Sequence, residues 1–190
     1  SKTKNMKSIF SIALHQHQPL IPAGQNGAPI SNLQYMFEHQ GEGDNHNAGV
    51  FKWCYERMGE FVPQLKAEGK KPRCMMDYSG TLFWGLENMN LQDSLGKLRN
   101  LAENYGNEVE WLGTPWGHAV APSTPPADYR LHVKAWKIHF EKLFGAAALA
   151  RVKGFSPSEM ALPNQPDIAY EYIKTLRDEG FNYVLVQEHT

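Results

Sequence analysis

Cysteine is scarce in this sequence: Cys54 and Cys74 are the only two among 190 residues. They form no Cys-x-x-Cys pair, so neither a disulfide framework nor a cysteine-rich metal site is available. The scarcity fits a reducing compartment, and a cytoplasmic location is expected. Long apolar runs are missing too, and none approaches the roughly 18–20 residues of a membrane span. The apolar stretch from Ile9 to Leu14 is cut off by His15 without a small-residue cleavage pattern, so no secretory leader is expected. A charge excess is absent as well, since 19 Lys and Arg face 20 Asp and Glu, leaving a net charge of -1. That balance gives no electrostatic footprint for nucleic acid or a membrane surface, and neither is expected as a partner. A glycine-rich phosphate loop is also lacking, and no cofactor is expected. What remains is an ordinary globular composition, 42% apolar and 21% charged, in a chain long enough for one domain with a core.

Hydrophobic patterning places short apolar runs in alternation with helical ones. Strands are expected at Lys7 to Leu14, Arg73 to Tyr78, Glu108 to Leu112, Arg151 to Phe155 and Phe181 to Gln187. A loop rich in Asn, Gln, Gly and His runs from Pro19 to about Ala48. Helical spacing covers Val50 to Glu68, with a kink expected at Pro63. Further helices are expected over Leu82 to Tyr105, broken near Asn88 to Asn90, and over Gln165 to Glu179. Asp128 to Phe144 reads as an amphipathic helix with Leu131, Ala135, Ile138 and Leu143 on one side and Gly145 as its cap. Strands alternating with helices predict an α/β fold with a parallel sheet. Five strands are too few to close an eight-stranded barrel, so the sequence reads as the front part of a larger domain. Open sheet edges then predict a covering segment or self-association.

In such folds chemistry gathers at the carboxyl ends of the strands. Here those ends carry His15 and His17, then Asp77 and Ser79, then Trp116 and His118 after a strand containing Glu110, then Glu159, and finally Glu188 and His189. Carboxylates and imidazoles bind hydroxyls and aromatic faces stack on pyranose rings, so the mixture suits a sugar. Each residue also has a plainer reading. Asp77 is well placed to cap the following helix, Glu110 to pair with a neighbouring Lys or Arg, and Trp116 to fill the core. Glu38, His39, Asp44 and His46 in the long loop match no metal-ligand spacing.

Four strings together resemble glycoside hydrolase family 57. They are His17-Gln18-Pro19, the stretch DYSGTLFWGL from Asp77, the stretch EVEWLGTPWGHAVAP from Glu108, and GFSPSEMALP around Glu159. Where the family string has Trp before Pro-Ser-Glu, this sequence has Ser156. The resemblance implies a parallel βα barrel of the incomplete (β/α)7 type, with about its first five strands within residues 1–190. It implies a retaining glycosidase or transglycosylase acting on α-glucans such as starch, glycogen and maltooligosaccharides. Glu159 is then the catalytic nucleophile, with His15, His17, Asp77, Glu110, Trp116 and His118 binding substrate. The family's acid/base aspartate belongs to a later region, expected beyond Thr190.

Two other readings compete on the same residues. One is a metal-dependent hydrolase or deacetylase, with His15, His17, His118, His189 and Asp77 as ligands. The other is a carbohydrate-binding fragment without the acid and hence without turnover.

Overall fold

The computed structural model describes residues 8 and 10–188. Lys7 and Ile9, where the first strand was expected to begin, and His189 lie outside the described residues. The described part of that strand is β1 (Ile12–Gln16). A small antiparallel hairpin follows, β2 (Leu20–Ile21) and β3 (Ile30–Ser31), and leads into helix α1 (Asn32–Glu38). The expected long loop therefore contains regular structure. Ser31 caps α1 by accepting from the Leu33 N–H, and Leu33 and Met36 are buried. Two apolar anchors and a cap order a polar stretch whose composition reads as loop.

Next come α2 (Ala48–Glu56) and α3 (Met58–Ala67). The bend falls at Arg57 and not at Pro63, which sits inside α3. Contact with a later helix, Gln92–Asn104, accompanies this bend. A Cβ on Gly59 would lie 2.7 Å from the Lys97 Cβ, and the Lys97 ammonium reaches Glu60 at 2.6 Å and Glu56 at 3.2 Å. The chain continues through β4 (Cys74–Tyr78), α4 (Gly80–Asn88), α5 (Gln92–Asn104) and β5 (Val109–Gly113). It then forms α6 (Pro126–Phe144), α7 (Ala146–Ala150), β6 (Gly154–Phe155), α8 (Pro166–Asp178) and β7 (Tyr183–Val184).

β1, β4, β5, β6 and β7 form one parallel sheet in that spatial order. Among the described residues the sheet is open, with β1 and β7 as its edges, and no barrel closes. One face packs on the helices. Met76, Tyr78, Val109, Trp111 and Phe155 meet Phe83, Leu98, Leu101, Trp136, Phe140 and Phe144 in a single core. Strand alternation sends His15, Asp77, Glu110 and Leu112 to the other face. All five strands run the same way, so their carboxyl ends share one rim.

Of the side of α6 expected to be apolar and buried, Leu143 is buried but the rest is not. Leu131 and Ile138 are exposed, at 63% and 69%, while Tyr129, Val133, Trp136, Phe140 and Leu143 are buried. Two apolar stripes share this helix, and the aromatic one removes more area from water. Trp136 also donates its indole N–H to the Tyr78 carbonyl at 2.8 Å, which satisfies its one polar atom inside the core. Among the described residues no helix is long and apolar enough to cross a membrane.

Candidate active site

The site begins with the register of two strands. β1 and β4 pair so that His15 lies beside Asp77, and the imidazole Nδ1 is hydrogen-bonded to the Asp77 carboxylate. One step beyond the paired residues, the His17 Nδ1 is hydrogen-bonded to the Ser79 hydroxyl at 2.8 Å. Ser79 also caps α4, accepting from the Leu82 N–H at 3.2 Å. The plainer expectation for Asp77 thus passes to Ser79, and Asp77 is free to orient His15. Gln18 is buried and satisfied: its amide donates to Tyr55 at 2.6 Å and its carbonyl accepts from Asn32 at 2.9 Å. It ties the segment after β1 to α1 and α2 and so holds the backbone just after His17.

The loop after β5 supplies the third imidazole. His118 has a left-handed backbone, φ 57. Its ring stacks on His17 at 4.0 Å between centroids and lies 5.1 Å from His15. After β6, a 3-10 turn over Ser158–Met160 presents Glu159, also left-handed at φ 58. Its carboxylate lies 2.8 Å from the His118 Nε2, and its side chain remains 68% exposed. Non-glycine residues held in this backbone region cost about 1–3 kcal/mol each and cluster at functional sites.

The charges in the cluster are distributed unevenly. The Asp77 hydrogen bond raises the His15 pKa above its ordinary value, against the opposing effect of burial. Burial, with His118 and His15 nearby, lowers that of His17 to about 4. The His118 hydrogen bond holds the Glu159 carboxyl below its usual range. A solvent-facing carboxylate is therefore kept ionised beside stacked imidazoles, one of which is neutral over most of the pH range.

The remaining residues named from the sequence are held by other partners. Glu110 is exposed and accepts a hydrogen bond from the Tyr183 hydroxyl, across Gly154, where a Cβ would lie 2.2 Å from the Tyr183 ring. It pairs with Met75 in the register, one same-face step, about 6–7 Å, below the Asp77 level. Trp116 is half-buried. Its indole packs on Gly80, and its N–H donates to the His139 Nδ1 at 3.0 Å. His39 stacks on Tyr35 at 3.9 Å, within the loop. Among the described residues, no three or more His, Cys, Asp or Glu side chains group so as to hold a metal ion. Two residues that bear on the site have no counterpart in the sequence reading, His132 and His139 of α6. Their only signal was a pair of histidines about two turns apart on one helix face.

Fold and site together define a parallel α/β protein whose acid and imidazole groups converge at the strand carboxyl ends. Residues 11–190 match the model of glycosyl hydrolase family 57, and the chain belongs to that family. Three solved structures share its fold. A 4-alpha-glucanotransferase from Thermococcus litoralis is similar at 20% identity and a TM-score of 0.61, over 94% of this chain and 22% of that one. A branching enzyme of the same family from Thermococcus kodakaraensis, solved with glucose, is similar at 16% identity and a TM-score of 0.60, over 92% of this chain and 38% of that one. A branching enzyme from Pyrococcus horikoshii is similar at 16% identity and a TM-score of 0.59, over 94% and 42% respectively. The chain therefore spans less than half the length of each. No curated protein sequence matches it.

Proposed function

We propose that this chain carries the nucleophile side of a retaining site for α-glucans, in which Glu159 attacks the anomeric carbon and forms a glycosyl-enzyme intermediate. Water or a sugar hydroxyl then releases the glycosyl group, making the protein a hydrolase or a transglycosylase. The observation that carries this reading is the 2.8 Å contact from His118 to a carboxylate that faces solvent on the rim. A nucleophile has to be ionised and reachable, and this carboxylate is both. Membership of the family and the named activities of the structural neighbours, glucan transfer and branching, point to α-glucans. Retention requires a second carboxyl group about 5–5.5 Å away, which protonates the leaving oxygen and then deprotonates the acceptor. The family resemblance assigns that role to an aspartate of a later region.

The surrounding groups take supporting roles in this proposal. His15, His17 and His118 bind sugar hydroxyls, and Asp77 fixes the orientation of His15. Glu110, held by Tyr183, accepts from a further hydroxyl. Trp116 offers a ring to the sugar, and since its N–H is engaged by His139, only its carbon surface is free. The two carboxyl groups suffice for the bond-making and bond-breaking steps.

The test is incubation of the full-length protein with a fluorinated α-glucosyl fluoride, followed by intact-mass and peptide mass spectrometry. Fluoride leaves without acid assistance, so the first step is read alone. One glycosyl adduct on the peptide containing Glu159 is expected. Turnover of α-glucans with an adduct elsewhere, or none, overturns the assignment.

A further inference from the structure

His118 contacts the proposed nucleophile, and the loop that carries it is hydrogen-bonded by two helix-borne histidines. Trp116 and Gly117 precede His118 directly. The Gly117 N–H donates to the His132 Nδ1 at 3.1 Å, and the Trp116 indole N–H donates to the His139 Nδ1 at 3.0 Å. Trp116 further donates its backbone N–H to the His132 carbonyl at 3.1 Å, and its own carbonyl accepts from Thr81, at the start of α4, at 3.0 Å. Gly117 has no side chain to keep His132 away, since a Cβ there would lie 2.8 Å from the His132 Cε1.

Both histidines act as acceptors at Nδ1, so both rings carry their proton on Nε2. For His139 that tautomer is fixed from behind. Its Nε2 is 2.5 Å from the Glu87 carboxylate, whose other oxygen accepts from Lys142 at 2.9 Å. The two rings sit about two turns apart on α6, so they face the same loop from one rigid element.

We propose that His132 and His139 are positioning residues, which hold the Trp116–Gly117 segment so that the left-handed His118 meets Glu159. The proposal rests on the reading of Glu159 as nucleophile. Neither histidine touches the substrate in it. What each supplies is an unprotonated ring nitrogen at a fixed place, and an asparagine Oδ1 can occupy nearly the place of Nδ1. A misplacement of about 1 Å at a reacting group is enough to slow chemistry on the order of 10²-fold.

The experiment compares His132→Asn with His132→Leu in the full-length protein, reading the rate and the half-saturating concentration of adduct formation with the fluorinated α-glucosyl fluoride. His132→Leu is expected to lower the saturated trapping rate at least about tenfold with little change in half-saturation, and His132→Asn to restore it. Gly117→Ala, which keeps both histidines but crowds His132, is expected to slow trapping as His132→Leu does, and it decides the matter if the leucine variant fails to fold. Trapping by His132→Leu at the wild-type rate, or equal loss in the leucine and asparagine variants, overturns the proposal. A second readout is independent of the chemistry. In ring-nitrogen NMR, the Nδ1 atoms of His132 and His139 should be unprotonated at neutral pH, and the His118 ring signals should move in His132→Leu but not in His132→Asn. If wild type forms no adduct, the nucleophile reading fails while this NMR comparison still judges the clamp.

Discussion

Glu159 and His118 meet at 2.8 Å although each stands in a left-handed backbone conformation, at φ 58 and φ 57. Neither is glycine, and Met160, just after Glu159, is left-handed too, at φ 51. The loops after β5 and β6 thus hold three costly conformations, two of them at the carboxylate and the imidazole that face each other on the rim.

That pairing separates backbone tolerance from chemistry at position 118. Asparagine accepts the left-handed region readily, whereas a β-branched residue there is a genuine outlier. His118→Asn and His118→Val should both lose the bond to Glu159 and trap the glucosyl fluoride far more slowly. Only the valine variant should unfold at clearly lower temperature, by an additional 1–3 kcal/mol or so. Calorimetry with trapping rates tests this, and equal stability of the two variants would contradict it.

Glu159→Gln should abolish adduct formation and leave stability within about 0.5 kcal/mol of wild type, because the side chain is 68% exposed. The check is intact mass together with thermal melts.

Two glycine replacements should act with opposite sign. A Cβ on Gly80 would fall 1.9 Å from the Trp116 ring, so Gly80→Ala has to displace the indole or the start of α4. It should cost about 1–3 kcal/mol and slow trapping by disturbing the loop that carries His118. Gly96, exposed within α5, has no neighbour within 4 Å of such an atom. Gly96→Ala should stabilise by roughly 0.5–1 kcal/mol, as an alanine in a helix interior does.

The imidazoles should titrate apart. In ring-proton NMR, His17 should stay neutral on acidification until about pH 4. His15, whose bond to Asp77 raises its pKa, should still be taking up protons above the ordinary value of 6.5. The signs for stability follow. The stability that His15 contributes is fully present below 6.5 and is lost as pH rises through its higher folded value. His17 works against the fold on acidification from about 6.5 to 4, because only the unfolded chain binds its proton there. A His17 midpoint near 6.5 would show that the ring is neither buried nor coupled as described.

Much of the architecture was legible in the residues themselves. Apolar runs bounded by Gly and Pro marked β4, β5 and α8, and the alternation of strand and helix implied a parallel sheet with one chemical rim. Local pattern suffices there because a strand or helix with a single apolar face has only one way to bury it. Where a segment offered two ways, as α6 did with its two apolar stripes, or none, as in the polar stretch that became α1, the pattern could not choose. The bend at Arg57 likewise accompanies contact with Lys97 on another helix.

The candidate site divides along the same line. The sequence by itself determined which groups stand at the strand ends, since strand position and polarity are local properties: His15, His17, Asp77, His118 and Glu159 all came from it. Only the tertiary structure decided which of them meet. The register of β1 on β4 pairs His15 with Asp77, and two left-handed turns from separate loops bring Glu159 to His118. Glu110 faces Tyr183 because Gly154 lets that ring lie across the sheet. His132 and His139 met the loop only when α6 packed beside it; their spacing of about two turns marks a shared helix face, but a hydrogen bond between distant segments depends on where folding places them.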